Sequence, residues 1–370
     1  MSQSVDNRAM LGAGCGIGAA ALFGASAPLS KLILGQVGPL MLSALLYLGA
    51  AAGLAMLKIA SRRTVAAREA QLRGVDFATL ALITILGLSG TFLMLYGLTR
   101  ISALAGSLLL NLETPFTMLI AVMVLGEYLG IRETLAALAI MVGAMLLGWA
   151  PGGFHSDPIG SGAIAAACLC WAIDNNLTQR LSIRDPAAIT YLKSLGAGVA
   201  TLTIAFALGL PLPTAPVVGA ALAIGAVCYG LSLYLATWGL RILGAARQAA
   251  YFATAPFIGA AISMVMFRNL PGTAEWCAAA LMALGAIVLL REDHRHLHAH
   301  DELTHDHLHY HDAHHQHRHA PDDEPVSEPH AHPHRHLRLL HSHQHVSDIH
   351  HRHSHGKHPD EQADTDRRAT

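Results

Sequence analysis

Few side chains in the first 291 residues can do chemistry, and they stand out by where they sit. Glu113, Asp174 and Lys193 are ionisable groups inside long apolar stretches. A charge at membrane depth costs roughly 2.5–3.5 kcal/mol on insertion scales, so each is a functional candidate by default. On a helical wheel Glu113 shares an arc with Ser107, Asn111, Thr114 and Thr117, while Leu108, Leu109, Leu112, Phe116 and Leu119 fill the other side. Asp174, Asn175 and Asn176 follow in a row, and Trp171, Asp174, Asn175 and Thr178 share a helical face. Lys193 lies seven residues after Pro186, about two helical turns deep. Arg247, Tyr251 and Thr254 share a face by the same spacing. Pro115 and Pro256 each remove one helical hydrogen bond, which predicts paired kinks at the carbonyls of Asn111 and Phe252. These residues could ring one cavity. Glu113 is the first choice for a coupling or substrate-contact carboxylate and Asp174 the second, with Asn111, Asn175, Thr117, Tyr251 and Lys193 around them and Pro115 and Pro256 as hinges. The plainer readings are an ion pair of Lys193 with a carboxylate, snorkelling of Lys193, interhelical bonding by the asparagines, and a topology anchor in Arg247.

The other chemistry lies at the far end of the chain. Of 25 histidines, only His155 precedes residue 294. His294, His296, His298 and His300 open the series, followed by His305, His307, His309 and His311, then His314, His315, His317 and His319. A second block holds His330, His332, His334 and His336, then His341, His343 and His345, then His350, His351, His353 and His355. Neutral imidazole is the commonest side-chain metal ligand. Imidazole among Asp and Glu suits divalent Zn, Ni, Co or Cu, and no thiolate is present to favour Cu(I). No ligand quartet stands out, which predicts many overlapping, exchangeable sites. Protonation would also turn this acidic segment into a polycation able to adhere to anionic lipid.

The elements that must position these groups follow from composition. Ten apolar runs approach the length of a membrane-spanning helix, near residues 11–34, 38–58, 77–98, 102–125, 131–150, 159–180, 186–209, 216–239, 245–267 and 272–291. They are apolar nearly all round, unlike the helices of a soluble core. The first continues past Pro28 and Lys31, so it reads as a permanent helix, not a cleaved signal. Cys15, Cys168, Cys170, Cys228 and Cys277 all fall within runs and read as buried thiols. Lys and Arg cluster at alternate ends of the runs, which places both termini in the cytoplasm. Residues 292–370 hold few core-forming side chains and read as a disordered tail.

The chain also repeats itself. "LYGLTRISALAGSLLLNLETPF" (95–116) is similar to "TWGLRILGAARQAAYFATAPF" (237–257), and "FGASAPLSKL" (23–32) to "WAIDNNLTQRL" (171–181). Five runs per repeat is an odd number, so the second copy enters the membrane inverted, as in secondary transporters with substrate held near the midplane. The expected fold is an all-α integral membrane protein of ten transmembrane helices in two inverted five-helix repeats. A short N-terminus spans 1–10, the repeats 11–150 and 159–291, and a His-rich cytoplasmic tail 292–370.

"LNLETPFTMLIAVMVLGEYLG" (110–130) and "YFATAPFIGAAIS" (251–263), set in this five-plus-five pattern, resemble the drug/metabolite transporter superfamily, and within it the EamA family. The tail behind "CWAIDNNLT" (170–178) resembles a branch with histidine-rich ends. One departure is Arg268, which stands where the first repeat has Glu127. The resemblance implies a carrier of small metabolites; a few relatives in the superfamily move divalent cations.

No phosphate loop, nucleophile elbow or fixed metal motif appears in residues 1–291, so no enzyme and no cofactor is expected there. The preferred expectation is an inner-membrane exporter of a small metabolite, with divalent metal bound by the tail. The alternatives are a carrier of divalent metal and a non-transporting membrane metal buffer. Expected partners are the substrate and the bilayer, with no nucleic acid. Gly12 and Gly16, and Gly49 and Gly53, permit close helix packing within the chain or in a homodimer.

Overall fold

The computed structural model describes residues 2–61, 72–125, 130–149, 157–181, 185–243, 248, 251–268, 270–290, 295–300, 303–309, 330–336 and 339–344. Up to residue 290 the described elements are helical. They are α1 (Ser2–Ile33), α2 (Pro39–Ser61), α3 (Asp76–Arg100), α4 (Ala103–Leu109), α5 (Glu113–Ile120) and α6 (Ile131–Trp149). After these come α7 (Pro158–Leu181), α8 (Pro186–Ala207), α9 (Ala215–Ile224), α10 (Ser232–Leu243), α11 (Ala255–Phe267) and α12 (Thr273–Leu290). Among the described residues, six stretches are long and apolar enough to cross a membrane: Met10–Ile33, Pro39–Ile59, Asp76–Arg100, Ala103–Val124, Ala187–Ala207 and Ala215–Gly239. Two further apolar helices, Ala255–Phe267 and Thr273–Leu289, are shorter. Helices also occupy the positions of the expected fifth and sixth runs.

Local chemistry sets the helix ends. Asp185 caps α8 by accepting from the amides of Ala187 and Ala188 at 2.9 and 3.1 Å, with Pro186 in the first turn. Ser102 accepts from Ala105 at the start of α4. Asp157 accepts from Ile159 and Gly160 ahead of α7 and binds Arg100 at 2.7 Å. The Arg100 bond, aided by those two amides, holds the Asp157 carboxyl below the usual carboxylate range. Lys31 donates to the carbonyls of Leu98 and Ile101, fastening α1 to the corner between α3 and α4.

The helices pack in reciprocal pairs. Helix α3 lies on α7 as α10 lies on α1; α1 lies on α11 as α7 lies on α5; α2 meets α8, and α6 meets α12. Glycines allow the closest crossings. A Cβ at Gly49 would collide with the Leu222 carbonyl, and one at Gly225 with the Leu46 carbonyl. Gly53 abuts Ala226, while Gly16 abuts Tyr251 and Gln248. These glycines therefore serve contacts inside one chain, one of the two uses their spacing allowed.

Two spans are broken where kinks were expected. Between α4 and α5 a single tight turn, Leu110–Leu112, precedes Pro115, and a widened π-type turn follows at Ala121–Leu125. Pro115 thus follows directly on the tight turn, which takes up the hydrogen bond its missing N–H cannot make. Pro256 occupies the matching place in α11, after a turn in which Thr254 donates to Tyr251. A second π-type turn, Gly225–Leu231, joins α9 to α10 and packs on α2.

The described parts of the tail are extended. Strands β1 (Arg295–His300) and β4 (Leu339–Gln344) pair antiparallel, as do β2 (Leu303–His309) and β3 (His330–His336). The physical reason lies in the spacing: H-x-H is a period of two, the period of a strand.

Candidate functional site

The break in the α4–α5 span creates the centre of the site. Glu113 is the first residue of α5, directly after the tight turn Leu110–Leu112. Glu113 Oε1 accepts from Asn175 Nδ2 of α7 at 2.7 Å. One residue earlier, Asp174 is only 2% exposed. Its Oδ2 is ion-paired to Lys193 of α8, and its Oδ1 accepts from Thr178 at 3.0 Å. Glu113 is half-buried and Asn175 exposed, so the cluster has a closed side at Asp174 and an accessible edge at Glu113.

Helix α3 supplies the floor. At Gly87 an added Cβ would stand 2.9 Å from Lys193 Cε, 3.2 Å from the Tyr47 hydroxyl and 3.7 Å from Asp174 Oδ2. Gly87 therefore leaves the room in which Lys193 meets Asp174. One turn on, Gly90 abuts the Trp171 indole. The Tyr47 hydroxyl shares a hydrogen bond with Thr91 at 2.9 Å. Tyr47 leads into an aromatic group: its ring lies 6.4 Å from Tyr229, which lies 6.0 Å from Phe23, and Phe23 lies 5.1 Å from Phe252. Among the described residues, the buried Tyr229 hydroxyl makes no hydrogen bond of standard geometry, with the Ser26 side chain beside it. Tyr47, Gly87, Thr91 and Tyr229 carry no charge in a chain rich in small and apolar residues, and the sequence reading missed them. The only prior signal was tyrosine in apolar runs, Tyr47 alone in one and Tyr229 with Tyr234 in another.

The structure brings together Glu113, Asp174, Asn175 and Lys193 among the expected residues. It sends others elsewhere. Asn111 donates back to Leu108 O at 2.9 Å and touches Met282 of α12. Thr117 donates to Glu113 O at 2.8 Å, while its own carbonyl accepts from Asn176 and ties α5 to α7. Tyr251 packs against Gly16 of α1. The Cys168 thiol reaches the Leu109 and Leu110 carbonyls left at the helix break, at 3.7 and 3.9 Å. All five cysteines are free. Glu127 and Arg247 lie outside the described residues, as do His294, His311, His314, His315, His317, His319, His345, His350, His351, His353 and His355.

A carboxylate thus lies near an ion pair among apolar helices. The profile of the EamA-like transporter family matches residues 10–149 and again 158–291. The chain belongs to the EamA-like transporter family. A relative, an "Uncharacterized transporter" of Methanothermobacter thermautotrophicus, is 27% identical over 292 residues, covering 74% of this chain and 84% of its own. A protein of known crystal structure shares the fold at a TM-score of 0.56 and 21% identity, covering 76% of this chain and 95% of its own. The chain is thus a multi-pass membrane transporter.

The site makes one local prediction. Gly87→Val should cut transport at least about tenfold, because its side chain takes the space of Lys193 Cε. Expression and insertion should persist, and transport by the purified variant in liposomes checks this. Unchanged rates would show that the Lys193–Asp174 contact is dispensable.

Proposed function

We propose that the chain exports a small polar metabolite across the inner membrane by alternating access, with Glu113 as the coupling or substrate-contact carboxylate. The observation that carries this reading is the charge balance of the site. Lys193 and Asp174 neutralise each other. Glu113 is held by a neutral amide, so its charge leaves a net negative site at membrane depth. Such a charge is costly unless a cationic group or a proton answers it. A site that must bind one or the other can couple their movements. The substrate therefore carries a cationic or strongly donating group.

The reciprocal packing of α3 on α7 and α10 on α1 supports an inverted repeat, as do the matched breaks before Pro115 and Pro256. Short basic segments at alternate ends support cytoplasmic termini and ten spans. The tail binds divalent metal through its histidines, and this binding weakens as pH falls through about 6.5, where protons compete for imidazole.

Divalent metal as substrate is the second reading, favoured by the density of ligands in the tail. Against it, the described residues hold no group of three or more His, Cys, Asp or Glu able to grip an ion. Liposomes containing the full chain and a chain stopped after Arg291 separate the two. Metabolite flux should survive the stop, while its sensitivity to micromolar Ni²⁺ or Zn²⁺ disappears. Metal accumulation by the full chain, lost on truncation, would overturn the metabolite reading.

A further inference from the structure

The helices enclose a second polar place, apart from the charged cluster. Tyr229 is 7% exposed and Ser26 only 1%. Their hydroxyls lie side by side, and among the described residues neither makes a hydrogen bond of standard geometry. A buried hydroxyl without a partner is costly. Packing alone does not call for the pair, since Phe and Ala would fill the same space with no polar atom left to satisfy.

Tyr229 and Gly87 stand at corresponding places in the two halves of the chain. Gly97 of α3 abuts Gly160 and Ile164 of α7, and Gly239 of α10 abuts Gly16 of α1. Ten residues before each of these crossings stand Gly87 and Tyr229. Gly87 leaves the room in which Lys193 meets Asp174, whereas Tyr229 fills the like room with a ring and sets its hydroxyl beside Ser26. Tyr47 joins the two places. Its hydroxyl and Lys193 Cε lie 3.2 and 2.9 Å from the point a Gly87 Cβ would take, and its ring lies 6.4 Å from that of Tyr229. The polar groups thus run from Glu113, Asp174 and Lys193 at one end to uncharged donors at the other. Tyr229 also lies on the π-type turn Gly225–Leu231, and widened turns of this kind collect at functional sites.

We propose that Tyr229, with Ser26, is a specificity-determining contact of the carrier: the two hydroxyls hold the hydrogen-bond-accepting end of a solute whose cationic end answers Glu113. This rests on the reading of Glu113 as a substrate-contact carboxylate and adds that the solute has two poles. A hydroxyl donates without bringing a charge, so the pair takes either a neutral hydroxyl or a carboxylate. The solute then supplies the partner that the two hydroxyls lack within the protein. A site built this way discriminates against an analogue without the accepting group, because its own polar atoms are then left unpaired.

The test measures the binding of three probes to the full chain in lipid nanodiscs by titration calorimetry. Ethylamine, ethanolamine and β-alanine share an ammonium group and end in a methyl, a hydroxyl and a carboxylate. The intact chain should bind ethanolamine about fivefold, and β-alanine about tenfold, more tightly than ethylamine. A preference for one of the two alone identifies which group the hydroxyls take. Tyr229→Phe keeps the ring beside Tyr47 and Phe23 and breaks no hydrogen bond of standard geometry, so the fold should hold. It should bring ethanolamine and β-alanine down to the level of ethylamine, and Ser26→Ala should move them the same way. Equal affinities or no binding in the intact chain, or a preference kept in Tyr229→Phe, would overturn the contact. Glu113→Gln tests the underlying reading separately: it should weaken all three probes alike, and unchanged affinities there would overturn the role of Glu113 instead.

Discussion

Glu113→Gln is expected to cut gradient-driven transport by at least about tenfold, more than about 1.4 kcal/mol of lost transition-state stabilisation, while the protein still inserts and folds. The substitution keeps the volume of the side chain and leaves an oxygen to accept from Asn175, which now donates at 2.7 Å. What it removes is the charge. Loss of a membrane-buried charge relieves on the order of 2.5–3.5 kcal/mol on insertion scales, so yield and thermal stability should hold or rise. A selective loss of transport would therefore mark a functional carboxylate. If Glu113 couples the substrate to a proton, exchange of labelled for unlabelled substrate should persist in the variant after net uptake has gone. Wild-type net uptake by a well-inserted Glu113→Gln protein would remove Glu113 from the mechanism.

The Lys193–Asp174 pair should behave in the opposite way. Asp174 is 2% exposed, and its second oxygen is already taken by Thr178. Asp174→Asn would leave the Lys193 charge enclosed without its counter-ion, a change that typically costs about 3–5 kcal/mol. We expect a marked fall in melting temperature in detergent together with loss of transport. The double variant Asp174→Asn, Lys193→Met should recover much of the stability, since no unpaired charge remains, but not the transport. Scanning fluorimetry beside the uptake assay makes the comparison. Equal stability of the single and double variants would show that Lys193 finds another partner and that the pair is not the anchor of the site.

The four residues that meet at the site were legible in the sequence because charge inside an apolar run is rare. Glu113, Asp174 and Lys193 could be picked without knowing any contact. Asn175 was legible through its neighbour. Asn111 and Thr117 were misplaced because the wheel assumed one continuous helix from Ser107 onwards. The turn at Leu110–Leu112 advances about 120° per residue and not 100°, which rotates the two halves of the wheel relative to each other. Gly87 and Tyr47 were not legible, since the value of Gly87 lies in the space it leaves for a lysine 106 positions later, as its contacts with Lys193 show. The glycine pair Gly49 and Gly53 looked equally suited to a second copy, and only the backbone of α9 and the turn after it decides for an internal contact. In the tail, histidine content pointed to metal but hid the strand period carried by the same residues.

The most direct test of the central claim is uptake of a labelled panel of small metabolites, chosen to include cationic and zwitterionic solutes, into liposomes holding the purified full chain. The proposed carrier should give saturable accumulation of at least one solute, abolished by Glu113→Gln and preserved when the chain stops after Arg291. Accumulation of divalent metal alone, or metabolite uptake indifferent to Glu113→Gln, would contradict it.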